Sequence, residues 1–159
     1  MNISIVGLGY VGAVSAACLA DAGHNVWGVD INPEKVQIIN SGGSPIVESG
    51  LAEKIARAKE AGRLHATVDI ERALSQSELC FVAVATPSQP SGQIDAAHLF
   101  RACNQIASAL ASAHKPQIVV IRSSVLPFIF DECRNIFDSA APELVELLSL
   151  IHISEPTRP

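Results

Sequence analysis

The chain has no surplus of positive charge to spread along a phosphate backbone. Its 159 residues hold 11 Lys or Arg against 16 Asp or Glu, a formal net charge of -5. Nucleic acid is therefore not expected as a partner. Paired C-x-x-C spacing is also missing: Cys18, Cys80, Cys103 and Cys133 stand far apart. That argues against a disulfide or zinc framework and predicts four reduced, buried thiols. His24, His65, His98 and His114 have no metal-ligand spacing. No apolar run reaches the roughly 18 residues of a membrane span, and no basic segment followed by a long apolar run opens the chain. A cytoplasmic protein with no membrane partner is expected. There is no internal repeat and no low-complexity stretch. What remains, 48% hydrophobic residues in a chain of this length, is enough for one domain with its own core and too little for two large ones.

The apolar residues fall into an alternation of short strands and helices. Ile3–Val6 reads as a buried strand, followed by a glycine turn and a helix whose stripe is Val11, Val14, Ser15, Cys18, Leu19 and Ala22, closed at Gly23. Asn25–Asp30 reads as a second strand. Asn32 can cap the next helix, with Pro33 as its first residue and Glu34 in its first turn. The stretch "SGGSPIVESG" is a loop. Leu51–Ala61 is a helix ended by Gly62, and Arg63–Thr67 a short strand. Asp69 caps a short helix to Leu74. Leu79–Ala85 and Ile118–Ile121 are apolar on both faces, as strands covered on both sides are. Asp95 caps a long helix to about Ala113, and Phe128–Phe137 is the last helix. Trp27 is expected to pack on the sheet. The alternation predicts an α/β, Rossmann-like, doubly wound and mainly parallel sheet with helices on both faces.

The turn "GLGYVG" carries Gly7, Gly9 and Gly12 at G-x-G-x-x-G spacing. Alone that pattern is weak; here a strand precedes it, a helix follows, and Asp30 stands 18 residues beyond Gly12 at the end of the next strand. Gly7 permits the tight turn, Gly9 lets a pyrophosphate approach the backbone, and Gly12 brings helix and sheet together. The phosphates would meet free N–H groups and the positive end of the helix dipole. Asp30 can accept hydrogen bonds from an adenosine ribose and repels a 2′-phosphate, and no arginine stands beside it in sequence. The cofactor predicted is NAD rather than NADP. Thr86 and Ser124 each follow a strand and belong on the same sheet edge; each hydroxyl is either a ligand contact or an ordinary strand terminus. Lys35 is either a ribose or phosphate contact or a solvated helix lysine. Glu48 is either functional or a solvated loop carboxylate.

The segments "IVGLGYVGAV", "GVDINPEKV", "SPIVESGL", "VATPS" and "RSSVLP" together resemble the NAD-binding domain of the UDP-glucose/GDP-mannose dehydrogenases over residues 1–127. Ala13, Ser44–Val47, Ser88 and Arg122–Pro127 are similar to the GDP-mannose branch of that family. The resemblance implies NAD contacts at Tyr10 and Val11 as well as at Asp30, Lys35, Thr86 and Ser124. It also implies a nucleotide-sugar substrate, oxidation of a sugar C6 alcohol to a carboxylate by two NAD, a homo-oligomeric full-length protein, and a product used in alginate-type polysaccharide synthesis. The family usually has threonine at Ser124, proline at Ser49, and Gly-Thr where Phe128-Ile129 stand here. Its catalytic cysteine lies in a G-G-x-C-type motif, and none of the four cysteines considered sits in one, so no catalytic residue is assigned to this chain. Leu148–Arg158 is similar to a translated sequencing adapter. The expected organisation is thus a truncated domain over 1–147 and a non-native tail over 148–159, inactive by itself. The alternatives are a fragment of a UDP-glucose 6-dehydrogenase and a stand-alone NAD-sensing module.

Overall fold

A computed structural model describes residues 1–89 and 92–149. In chain order the elements are β1 (Asn2–Val6), α1 (Tyr10–Asp21), β2 (Asn25–Val29), α2 (Pro33–Asn40), α3 (Leu51–Glu60), β3 (Leu64–Thr67), α4 (Ile70–Ser75), β4 (Leu79–Val82), α5 (Ala97–Ala113), β5 (Gln117–Ile121), α6 (Pro127–Ala140) and β6 (Val145–Ser149). The six strands form one sheet in the order β3-β2-β1-β4-β5-β6. Every neighbouring pair is parallel. Val6 is level with Val29 on one side and Val82 on the other, and Val82 is level with Ile121. The carboxyl ends of β1, β2, β4 and β5 therefore share one edge. This order, with helices between parallel strands, is the Rossmann-like doubly wound architecture that the alternation predicted.

Successive side chains of a strand point to opposite faces, and two cores follow. Ile3, Ile5, Val26 and Leu64 face a core completed by Ala16, Ala17 and Ala20 of α1, Ile39 of α2 and Leu51 and Ile55 of α3. Cys80, Val82, Val119 and Ile121 face the other, completed by Leu74 of α4, Leu99, Ile106 and Leu110 of α5 and Phe130 and Phe137 of α6. Helices thus cover both faces.

Local chemistry sets several element ends where the sequence placed them. Asn32 accepts from the Glu34 N–H with Pro33 opening α2, and Asp69 accepts from the Arg72 N–H. Asp95 accepts from the Ala97 N–H at 2.9 Å, so it satisfies the start of α5 from one residue outside the cap. Asn40, the last residue of α2, grips the edge strand β3. Its amide donates to the Ala66 carbonyl at 2.8 Å and accepts from the Ala66 N–H at 3.0 Å, as a neighbouring strand would. Lys115 donates to the carbonyls of Leu74, Ser75 and Ser77 at 2.8, 2.8 and 2.6 Å and so holds the end of α4.

Four expectations differ from the structure. Helix α1 begins at Tyr10, inside the glycine motif, and its buried residues are Gly12, Ala13, Ala16, Ala17 and Ala20. The stripe of larger residues through Val11 and Cys18 is its flank, because only small side chains fit where helix and sheet approach most closely. Cys18 is accordingly exposed, while Cys80, Cys103 and Cys133 are buried as expected. Strand β4 stops at Val82 rather than Ala85: Arg122 and Ser123 both donate to the Val82 carbonyl, and the chain beyond turns away from the ladder. Strand β6 was not anticipated, and it includes Leu148 and Ser149, paired with Val120 and Ile121. The rest of the segment set apart by sequence, residues 150–159, lies outside the described residues. No helix among the described residues is long and apolar enough to cross a membrane.

Candidate functional site

The glycine turn is built on contacts that exclude a side chain at two of its three positions. Gly7 has φ +98°, and a Cβ there would lie 2.8 Å from the carbonyl oxygen of Ala83, just beyond β4. A Cβ on Gly12 would lie 1.7 Å from the Gly7 carbonyl oxygen, so α1 is pressed directly onto the turn. Gly9 is different: a Cβ there would meet nothing within 4 Å. No packing within the chain requires glycine at that position, and the space above it is open to a ligand.

Asp30 ties this turn to the end of β2. Its side chain is largely buried, at 9% exposure. Oδ2 accepts the Leu8 N–H at 2.8 Å, and Oδ1 accepts the Asn32 N–H at 2.9 Å. Lys35 Nζ, from the first turn of α2, stands 3.4 Å from Oδ2. A carboxylate oxygen accepts more than one hydrogen bond, so Asp30 can fix the loop and still receive a ligand hydroxyl. Lys35 is thereby neither free nor fully solvated; its charge leans on Asp30.

Gly7, Gly9, Asp30 and Lys35 line one cleft of about 410 Å³. Tyr10, Val11, Gly12, Thr86 and Ser124 are not in its walls. Tyr10 and Val11 are exposed on the first turn of α1, and Gly12 is buried beneath that turn. Thr86 Oγ1 donates to the Ser124 carbonyl at 3.2 Å, joining the turns after β4 and β5. The neighbouring Ser123 hydroxyl donates to the Val84 carbonyl at 2.7 Å and closes the same junction. The predicted residues therefore divide among the cleft, the first turn of α1 and the paired turn after β4 and β5.

Two features of the site were not foreseen from sequence: the pairing of Glu48, there either functional or solvated, with Tyr10, and one wall of the cleft. Glu48, from the long loop before α3, receives the Tyr10 hydroxyl. That hydrogen bond, with the negative charge behind it, holds the phenol protonated above its ordinary range. The other feature is the wall from α5: His98, Arg101 and Gln105 border the cleft, with Val68 and Ile70 from the β3–α4 junction. No arginine stands beside Asp30 in sequence, yet the fold brings Arg101 into its cleft. The spacing of 98, 101 and 105, three and four residues apart, marks one helix face; nothing in the sequence says what that face meets.

The buried cysteines are closed off from any ligand: Cys80, Cys103 and Cys133 are each at 0% exposure. Burial pushes the Cys80 thiol up to about 12. Cys103 is raised by its hydrogen bond to Cys133 and by burial. Among the described residues no group of three His, Cys, Asp or Glu side chains could hold a metal ion.

Comparison with known proteins adds a family to this geometry. The family model described as "UDP-glucose/GDP-mannose dehydrogenase family, NAD binding domain" matches residues 1–151. The chain is 44% identical over 127 residues to a GDP-mannose 6-dehydrogenase of Pseudomonas aeruginosa, covering 80% of this chain and 29% of that protein. It is 38% identical over 146 residues to a UDP-glucose 6-dehydrogenase of Haloferax volcanii, covering 92% of this chain and 32% of that protein. In structure it is similar to a crystallised ternary complex of GDP-mannose dehydrogenase from Pseudomonas aeruginosa, with a TM-score of 0.89 at 37% identity over 92% of this chain and 35% of that one. The chain spans less than a third of the length of these curated relatives.

Proposed function

The chain belongs to the UDP-glucose/GDP-mannose dehydrogenase family as its NAD binding domain, and from that premise we propose that it is the cofactor-holding part of a dehydrogenase that oxidises GDP-mannose to GDP-mannuronate with two NAD. The observation that carries the substrate is the 44% identity to a relative bearing that name. The sugar site, the homo-oligomer contacts and the catalytic groups are assigned to the part of such relatives that this chain does not span. A product destined for alginate-type polysaccharide and a cytoplasmic location complete the reading.

The residues present fit NAD. The N–H groups at the start of α1, with Gly7, Gly9 and Gly12 keeping the backbone close, would receive the pyrophosphate, with Tyr10 and Val11 on the same turn. Asp30 would hold the adenosine ribose hydroxyls, steadied by the Leu8 and Asn32 N–H groups, and Lys35 would balance its charge. The same carboxylate disfavours a 2′-phosphate. Thr86 and Ser124 would flank the cofactor from the paired turn. NAD, when bound, supplies the hydride acceptor; what this chain supplies is position, charge balance and exclusion of side chains from the pyrophosphate path. A second reading, UDP-glucose as substrate, is favoured by the longer alignment to the Haloferax volcanii enzyme.

Calorimetric titration of the chain with NAD and with NADP tests the cofactor half. Binding of NAD with a weaker response to NADP is expected, and Gly9→Ala, which meets no protein atom, should keep the melting temperature and weaken NAD. A folded chain indifferent to NAD sinks the reading. Mixing the chain with NAD and GDP-mannose, or UDP-glucose, should give no steady rise of NADH absorbance; steady turnover would show that the catalytic groups are here after all, and its sugar preference would choose between the two substrates.

A further inference from the structure

The cleft has a cation that the glycine motif does not account for. Lys35 is engaged with Asp30. Arg101 is exposed on the cleft wall, and no ion pair, hydrogen bond or ring contact reaches it among the described residues. It stands on α5 between His98 and Gln105, and Val68 and Ile70 are part of the cleft's apolar lining. Asp30 marks the ribose end and Gly7 and Gly9 the phosphate end of a dinucleotide lying here. The remaining piece of the adenosine half is a flat, aromatic base. A flat base needs an apolar surface on one side and gains from a planar cation on the other. Arginine offers that plane, and lysine does not.

Resting on the NAD reading above, we propose that Arg101 is a binding residue for the adenine ring, its guanidinium stacking on the base that Val68 and Ile70 receive. The role is distinct from attraction of the pyrophosphate by charge, because stacking depends on shape and survives added salt, whereas attraction between exposed charges is screened.

The test is calorimetric titration of the chain and its Arg101→Ala and Arg101→Lys variants with NAD and with ADP-ribose, at low and at high salt. Arg101 is exposed, so both variants should melt as the parent does. Arg101→Ala is expected to weaken NAD about tenfold, to weaken ADP-ribose equally because the adenosine half is kept, and to do so at both salt concentrations. Arg101→Lys, which keeps the charge and loses the plane, should recover little of the loss. Full affinity in Arg101→Ala, full rescue by lysine, or a loss that disappears at high salt each overturns the proposal while leaving the cofactor reading intact. A folded parent chain that binds no NAD removes that reading and the proposal with it.

Discussion

The two cores of the sheet are built by opposite means. On the α1 side the helix buries glycine and alanine, with Gly12 against the Gly7 carbonyl and Ala16, Ala17 and Ala20 against β1 and β2. On the α5–α6 side the sheet meets Leu99, Ile106, Leu110, Phe130 and Phe137. The first side brings α1 so close that at Gly12 a methyl group is too much; the second fills a wider gap so completely that a missing group is felt. The difference follows from the site. A backbone that must come within reach of a pyrophosphate cannot carry side chains between itself and its helix, so the close approach is concentrated at the glycine turn, and ordinary packing takes over elsewhere.

The sharpest way to break that contrast is to remove carbon from the bulky side. Phe137 is buried at 2% exposure, and Phe137→Ala should cost about 3–5 kcal/mol of stability through lost burial and the cavity left behind. Urea unfolding would measure it. The folded fraction should bind NAD as the parent does, since Phe137 lines no part of the cleft. Adding carbon on the close-packed side should act in reverse. Gly12→Ala places a methyl 1.7 Å from a backbone oxygen, and overpacking of this kind costs about 1–3 kcal/mol. Here NAD binding should weaken as well, because the turn itself must shift. If Gly12→Ala melts and binds like the parent, close packing at the turn is not what the glycine secures.

These two sides were not equally legible in the sequence. The doubly wound fold, the Asn32–Pro33 and Asp69 helix starts and the G-x-G-x-x-G turn with Asp30 follow from residues close together in sequence, whose chemistry is local. The buried face of α1 was misread because a hydrophobicity pattern favours Val14 and Leu19, while close approach selects alanine. Strand β6 escaped because Val145–Ser149 has no continuous apolar run and its Glu146 is exposed. The α5 wall of the cleft escaped for a different reason. His98, Arg101 and Gln105 are polar residues on a helix, and only the fold, which packs α5 against α4 and brings this face to the cleft, gives it something to meet.

A smaller effect tests how the close-packed side is held at its outer edge. Asn40 makes both hydrogen bonds to Ala66 that a further strand would make. Asn40→Ala should cost about 1–2 kcal/mol and loosen β3 before the rest of the sheet. Hydrogen exchange would show faster exchange at the Ala66 amide with the β4–β5 amides unchanged. Uniform loosening would mean that β3 has no independence from the sheet it borders.

The smallest expected effect lies on the same side, where α1 meets α3. Asp21 accepts from Lys54 at 3.1 Å and from Arg57 at 3.0 Å. Hydrogen bonds from Lys54 first, and then from Arg57, lower its pKa below the ordinary 3.8. The unfolded chain therefore takes up a proton at this site more readily than the folded chain does. The pair's contribution is present above about pH 3.8 and is lost as the pH falls through the lower folded value. All three side chains face solvent, so screening keeps the contribution small. The melting temperature of the parent should exceed that of Asp21→Asn slightly at neutral pH, converge with it in acid, and converge also at high salt. A difference that persists in acid would assign the role of Asp21 to packing between α1 and α3 rather than to its charge, and would extend to that helix pair the intolerance of change already expected at Gly12.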